Sequence, residues 1–157
     1  MIHISIKDQR LDLIEEGQVL RSYSISTAKN GAGENNGSGQ TPRGKHIIRA
    51  KIGDGQPINA VFVGRRATGE VYTSDLAEAF PERDWILSRI LWLSGCEPGK
   101  NRLGSKDSMR RYIYIHGTPD SEPMGVALSH GCVRMRNKDV IDLFDLVPVG
   151  IPVEIVE

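Results

Sequence analysis

The sequence predicts a mainly β domain, a β-rich α+β fold with one or two helices, on three observations. Apolar and polar residues alternate from position 2, with Ile2, Ile4 and Ile6 set against His3, Ser5 and Lys7. A period of two means strand. Short runs of that kind recur between turn-forming residues along much of the chain. Helical periodicity is confined to two stretches, 75–93 and 137–147. Many strands with few helices point to an antiparallel β-rich domain. At 157 residues, without internal repeat or linker, the chain reads as a single domain, 1–157, able to enclose its own core.

The elements follow in order. The opening strand, then "RLDLI", "EEGQ" and "VLRSYSIS", give the rhythm of a β-meander. Residues 28–41, "AKNGAGENNGSGQT", are small and polar and read as a mobile surface loop, either a plain connector or a border of a site. "TPRGKHIIRAKIG" resumes extended structure at 41–53. In 75–93, Pro81 forces a break. Asp84 is the candidate N-cap of a helix carrying Trp85, Ile86, Ile90 and Leu93, although "RILWLSG" fits a strand equally well. "RRYIYIHG", 110–117, is a strand ending at glycine. Residues 137–147 read as a helix capped by Asn137, with Val140, Ile141, Phe144 and Val147 on one face. Pro148 and Gly150 stop it, and "IPVEIVE" closes the chain as a strand.

Lysine plus arginine equals aspartate plus glutamate, 20 against 20, so nothing draws the chain to nucleic acid or an anionic membrane. Two cysteines, Cys96 and Cys132, are too few for a disulfide framework and form no redox CxxC pair. No secretory leader follows Met1 and no segment approaches the roughly 20 apolar residues of a membrane span. With Met1 as the natural start, the expected location is the cytoplasm. A leader removed from the natural protein would place it in the periplasm or cell envelope instead.

"SHGCVR", 129–134, gathers a serine, a histidine, a glycine, a cysteine and an arginine. A cysteine attacks a carbonyl as thiolate, and a nearby imidazole can take the proton and later return it to a leaving amine. His116, at the end of its strand, and His130, two residues from Cys132, both remain open as that base on spacing alone. Gly131 lets substrate approach and lets consecutive amides converge on an oxyanion. Arg134 suits a two-pronged contact with a carboxylate of substrate or protein. The bland alternatives are an inert Cys132, a purely structural Arg134 ion pair, and a zinc site from His116, His130 and Cys132, which lacks a fourth ligand. His3 and His46 read as ordinary sheet residues and Cys96 as a passive small side chain.

At "IHGTPDSEPMGVALSHGCVRM" the sequence resembles the L,D-transpeptidase catalytic domain, or YkuD family. The matching elements are His116-Gly117 and Ser129-His130-Gly131-Cys132-Val133-Arg134. The upstream "SISTAKNG…TPRGKHII" is similar to the family's "VSTG…TPxGxF" region, with Ala28 where glycine is common and His46-Ile47 where an aromatic often stands. The resemblance spans the chain from first strand to last. It implies a β-sandwich-like fold with a small helical part, Cys132 as nucleophile and His116 as general base and acid. It further implies that the Gly117 carbonyl orients His116, that Ser129, His130 and Gly131 shape the turn and oxyanion hole, and that Arg134 steadies the site or binds a carboxylate.

The same resemblance implies peptidoglycan stem peptides as substrate, cleaved after the L-centre of the third residue, usually diaminopimelate, with loss of D-alanine. It implies no metal or organic cofactor, and acylation by carbapenems. With no leader visible, the favoured expectation is an L,D-carboxypeptidase trimming tetrapeptides in murein recycling. The alternatives are an exported L,D-transpeptidase that cross-links the wall or attaches proteins to it, and a non-catalytic peptidoglycan-binding module. Arg43, Lys45, Arg49, Arg65 and Arg66 are candidates to meet diaminopimelate carboxylates, against the plainer reading of solvated strand edges.

Overall fold

A computed structural model describes residues 1–157. The meander is present as β1 (Ile2–Ser5), β2 (Arg10–Glu15) and β3 (Gln18–Ser26), each antiparallel to the next. Then come β4 (Gly44–Ile52), the hairpin β5 (Ala60–Val63) and β6 (Arg66–Val71), and the short helix α1 (Ser74–Ala79). The chain continues through β7 (Ile86–Gly95), β8 (Tyr114–Thr118), β9 (Val133–Arg136), helix α2 (Asn137–Leu146) and β10 (Pro152–Val156). The strand order is β4-β10-β1-β2-β3-β9-β8-β7-β5-β6, and β7 also pairs with β4. Eight strands therefore close into a ring, with the β5–β6 hairpin attached outside it at β7. Closure removes sheet edges that would otherwise be free to pair with another chain. Two pairings are parallel, β1 with β10 and β8 with β9; the others are antiparallel.

The alternation in β1 works as the sequence suggests: Ile2 and Ile4 are fully buried, and each contributes roughly 1.5–3 kcal/mol of apolar burial. They join Leu11, Leu13, Ile25, Ile48, Leu91, Leu93, Ile115, Val133 and Met135 in the main core, which Val140, Leu143 and Phe144 of α2 complete. A second, smaller cluster lies on the other face of β7 and β8, where Ile90 and Tyr114 meet Ala60 and Phe62 beneath the hairpin, with Trp92 and Cys132 against it.

That two-sided burial explains the one element misassigned from sequence. The helix expected from Asp84 onward is strand β7, with Ile86 as its first residue. Leu91 and Leu93 serve the main core while Ile90 and Trp92 serve the second, so both faces are apolar and no period of two survives. The helix in this stretch lies earlier, at α1, where Thr73 caps it by accepting the Leu76 amide at 3.1 Å. Helix α2 stands where expected, but Asn137 is not its cap. Arg136 occupies that position without a side-chain bond, and the buried Asn137 amide turns inward.

The 28–41 segment is tied down rather than mobile. Thr41 is buried, donates from Oγ1 to the Gly131 carbonyl at 2.9 Å and accepts the Ala28 amide at 3.0 Å. Arg111 donates to the carbonyls of Gln40 (2.6 Å) and Gly33 (3.3 Å), and Glu34 pairs with Arg43 at 3.0 Å. Composition predicted a loop correctly; these long-range bonds, invisible locally, make it a border of the site.

Candidate active site

The parallel β8–β9 ladder builds the site. Its register pairs Ile115 with Val133 and His116 with Arg134. Side chains alternate across a strand, so Ile115, Val133 and Met135 enter the main core while Tyr114, His116 and Arg134 face the other way. Cys132, one residue before β9, falls on that second face beside Tyr114. The Tyr114 amide donates to Cys132 Sγ at 3.3 Å, and the thiol is 3.3 Å from the Tyr112 carbonyl oxygen. Sixteen positions apart in sequence, His116 and Cys132 therefore line one cavity of about 360 Å³, together with Gly64, Arg65, Asp84, Ile86, Tyr112, Tyr114, Ser129, His130 and Arg134.

His116 is buried and its ring is oriented by the next residue: Nδ1 lies 2.6 Å from the Gly117 carbonyl oxygen. A carbonyl can only accept, so Nδ1 carries the proton and Nε2 presents a lone pair. Gly117 is required by space. A Cβ there would stand 2.5 Å from Asn137 Oδ1 and 2.5 Å from the Leu87 carbonyl oxygen. Asn137 is itself held firmly, donating to the Thr118 carbonyl (2.8 Å) and Asn59 Oδ1 (2.9 Å) and accepting from Ser88 Oγ (2.7 Å).

Ser129 closes the turn before Cys132. Its hydroxyl donates to the Cys132 carbonyl at 2.6 Å and accepts the Gly131 amide at 3.2 Å. Gly131 has φ +136°, a region that favours glycine, whereas a Cβ would meet its nearest atoms only at 3.4 Å. Backbone conformation, more than space, selects glycine here. His130 is exposed on the cavity rim, and its ring makes no hydrogen bond within the protein. Arg134 is buried, with Nη2 3.4 Å from Asp84 Oδ1.

Burial pushes the Cys132 thiol up to about 11; Asp84 adds to the rise, while the Tyr114 amide and the charges of Arg134 and Arg111 oppose it. Burial likewise holds the His116 imidazole below its ordinary value, opposed by the Gly117 carbonyl and by Asp84. Both directions favour a neutral thiol with a neutral imidazole. The arrangement thus offers a thiol, an imidazole of fixed tautomer and a carbonyl that orients the imidazole, the groups that nucleophilic catalysis by cysteine requires.

All seven residues singled out in 116–134 come together here. Of the five basic candidates upstream, Arg65 alone reaches the cavity, and Arg43 is engaged by Glu34 and Glu157. Sequence reasoning missed Asp84, Tyr112, Tyr114 and Asn137. Tyr114 was within reach, since it precedes His116 by two in a strand and must share its face. Asp84 and Asn137 carried no local signal beyond capping.

The L,D-transpeptidase catalytic domain family, YkuD, matches residues 1–155. This chain belongs to that family. A putative L,D-transpeptidase YkuD of Bacillus licheniformis is 44% identical over 155 residues, covering 98% of this chain and 64% of that protein. The probable L,D-transpeptidase YbiS of Escherichia coli is 47% identical over 47 residues, 30% of this chain and 15% of that protein. The chain thus spans less than two thirds of these relatives. Among solved structures, an L,D-transpeptidase from Mycobacterium smegmatis superposes with a TM-score of 0.62 at 21% identity, covering 99% of this chain and 58% of that one. L,D-transpeptidase LdtMt1 in complex with imipenem gives 0.57 at 21% identity, with coverages of 99% and 57%. The β-rich YkuD fold expected from the resemblance is therefore the fold of this L,D-transpeptidase-family chain.

Proposed function

We propose that the chain forms a thioester on Cys132 with peptidoglycan stem peptides, expels their terminal D-alanine and passes the acyl group to water, as an L,D-carboxypeptidase. One observation carries the chemistry: the imidazole that shares the thiol's cavity has Nδ1 committed to the Gly117 carbonyl, which leaves Nε2 free as base. As sulfur attacks the carbonyl of the L-centred residue, His116 Nε2 takes the thiol proton. In the turn at 130–132 the Gly131 amide is held by Ser129 Oγ, so the His130 and Cys132 amides are the donors offered to the developing oxyanion, each well-placed donor being worth roughly 3–4 kcal/mol. Collapse breaks the C–N bond, and the imidazolium returns its proton to the departing amine. Water, deprotonated by the same nitrogen, then releases the tripeptide acid and the thiol.

Water as acceptor is supported by the rim of the cavity, where Tyr112 and His130 are exposed and solvent can enter beside the half-buried Cys132. A second reading, an amine of another stem peptide as acceptor, is favoured by an adjoining cleft of about 250 Å³ that shares Asp84, His130 and Arg134 with the first. The test is incubation with a defined tetrapeptide and mass analysis of the products. Tripeptide plus free D-alanine supports hydrolysis; dominant dimer rejects it in favour of cross-linking. Intact mass after exposure to imipenem reports acylation independently, and Cys132→Ala removes it. Action on wall fragments inside the cytoplasm is part of the same proposal, checked by fractionating cells that express the native protein.

A further inference from the structure

We infer that Arg65 is the residue of this cavity that receives a substrate carboxylate, an inference resting on the proposed action upon stem peptides. Three side chains with permanent charge line the cavity: Arg65, Asp84 and Arg134. Asp84 and Arg134 pair with each other, whereas Arg65 has no carboxylate partner. Its one polar contact is a donation from Nη1 to the Tyr114 hydroxyl at 3.1 Å, which leaves most of its five N–H donors unused.

The guanidinium is nonetheless well positioned. It lies 4.7 Å from the Tyr112 ring centre and 5.1 Å from that of Trp92. The hairpin is shaped to deliver it. Val63 pairs with Arg66, so Gly64 and Arg65 form a two-residue turn with φ of +56° and +64°. That conformation favours glycine or asparagine at both positions, and arginine adopts it here against its backbone preference. Tyr114 ties the cation to the sulfur, since its hydroxyl accepts from Arg65 while its amide donates to Cys132 Sγ at 3.3 Å. Arg65 is thus separated from Cys132 Sγ by one tyrosine and a hydrogen bond at each of its ends. A donor peptide carries two carboxylates near its scissile carbonyl: the diaminopimelate side chain and the D-alanine terminus. A fork of unused donors fits either.

The experiment compares the full chain with Arg65→Gln on three tetrapeptides: free acid, side-chain amide and C-terminal amide. The free acid should lose about tenfold to a hundredfold in kcat/KM on substitution, mostly through KM. On the peptide whose amide replaces the recognised carboxylate, the two proteins should differ less than twofold, and this identifies the carboxylate. No loss on the free acid, or an equal loss on all three peptides, overturns the inference. A second readout needs no peptide. In a Cys96→Ser background, Arg65→Gln should slow alkylation of Cys132 by iodoacetate several-fold and leave iodoacetamide unchanged. An unaltered ratio of the two reagents overturns the inference; a chain that shows this ratio effect yet cleaves no peptide overturns only the proposed function.

Discussion

Gly117→Ala tests how the proposed general base, His116, is held. The added methyl would stand 2.5 Å from the Leu87 carbonyl oxygen and from Asn137 Oδ1, about 1 Å inside ordinary contact. Neither obstacle yields freely. Leu87 belongs to β7, paired directly with Gly117, and the Asn137 amide is fixed by Thr118, Asn59 and Ser88. The strand end must therefore move, and with it the carbonyl that holds His116 Nδ1 at 2.6 Å. Overpacking of this kind costs about 1–3 kcal/mol, which lowers Tm by roughly 2–12 °C in a domain of this size. A displacement near 1 Å at the base costs on the order of a hundredfold in rate. The assay is D-alanine release from a tetrapeptide together with a thermal melt and near-ultraviolet circular dichroism at 25 °C. The variant should be folded, less stable and about a hundredfold slower. Wild-type Tm with kcat/KM within twofold of wild type would refute the reasoning.

Other outcomes follow from the same geometry. His116→Ala should slow acylation of Cys132 by at least about a hundredfold, whereas His130→Ala, which removes an exposed ring without hydrogen bonds, should cost under tenfold; burst kinetics with imipenem compares them. With His116 held below its ordinary value, kcat/KM should rise as pH climbs toward neutrality and then level off, because the base works deprotonated. Stability should follow a related profile. His46 and His116 are both lowered by burial, so the unfolded chain binds more protons than the folded one below about 6.5, and stability present above that pH declines beneath it. Cys132 acts oppositely: its thiol ionises more readily unfolded, so stability falls as pH rises from about 8.5 toward 11. Urea midpoints across that range check both signs. Thr41→Val should destabilise by about 1–3 kcal/mol, since the buried Ala28 amide and Gly131 carbonyl both lose their partner, and urea denaturation reads it.

Much of the fold was legible wherever one face of an element is wet. In β1 (Ile2 and Ile4), β2 (Leu11 and Leu13) and the end of β3 (Tyr23 and Ile25) alternate residues enter the core, and α2 buries Val140, Leu143 and Phe144 on one face, so periods of two and of 3.6 survive in the sequence. β7 is buried on both sides and loses its period, and for that reason it resembled a helix. Asp84 and Asn137 resemble caps in sequence because caps are local; their actual partners, Arg134 and the Ser88–Thr118–Asn59 cluster, lie far along the chain. The candidate site was more legible than the architecture. Cys132, Gly131 and Ser129 are neighbours in sequence, and a candidate nucleophile with its turn is a local object.

The amino-acid order by itself determined the family and, through that resemblance, the candidate nucleophile, the glycine beside it and the glycine whose carbonyl is expected to orient the imidazole. Only the tertiary structure decided how the two histidines are placed. The parallel register of β8 with β9 brings positions 116 and 132 to one face, while His130 stays on the rim. It also closed the sheet through β4 and β7, anchored the 28–41 loop and carried Arg65 over the cavity. The physical reason is range. Rotamer, turn and capping preferences act over a few residues and are written locally, whereas strand register and burial join segments whose separation no local pattern records.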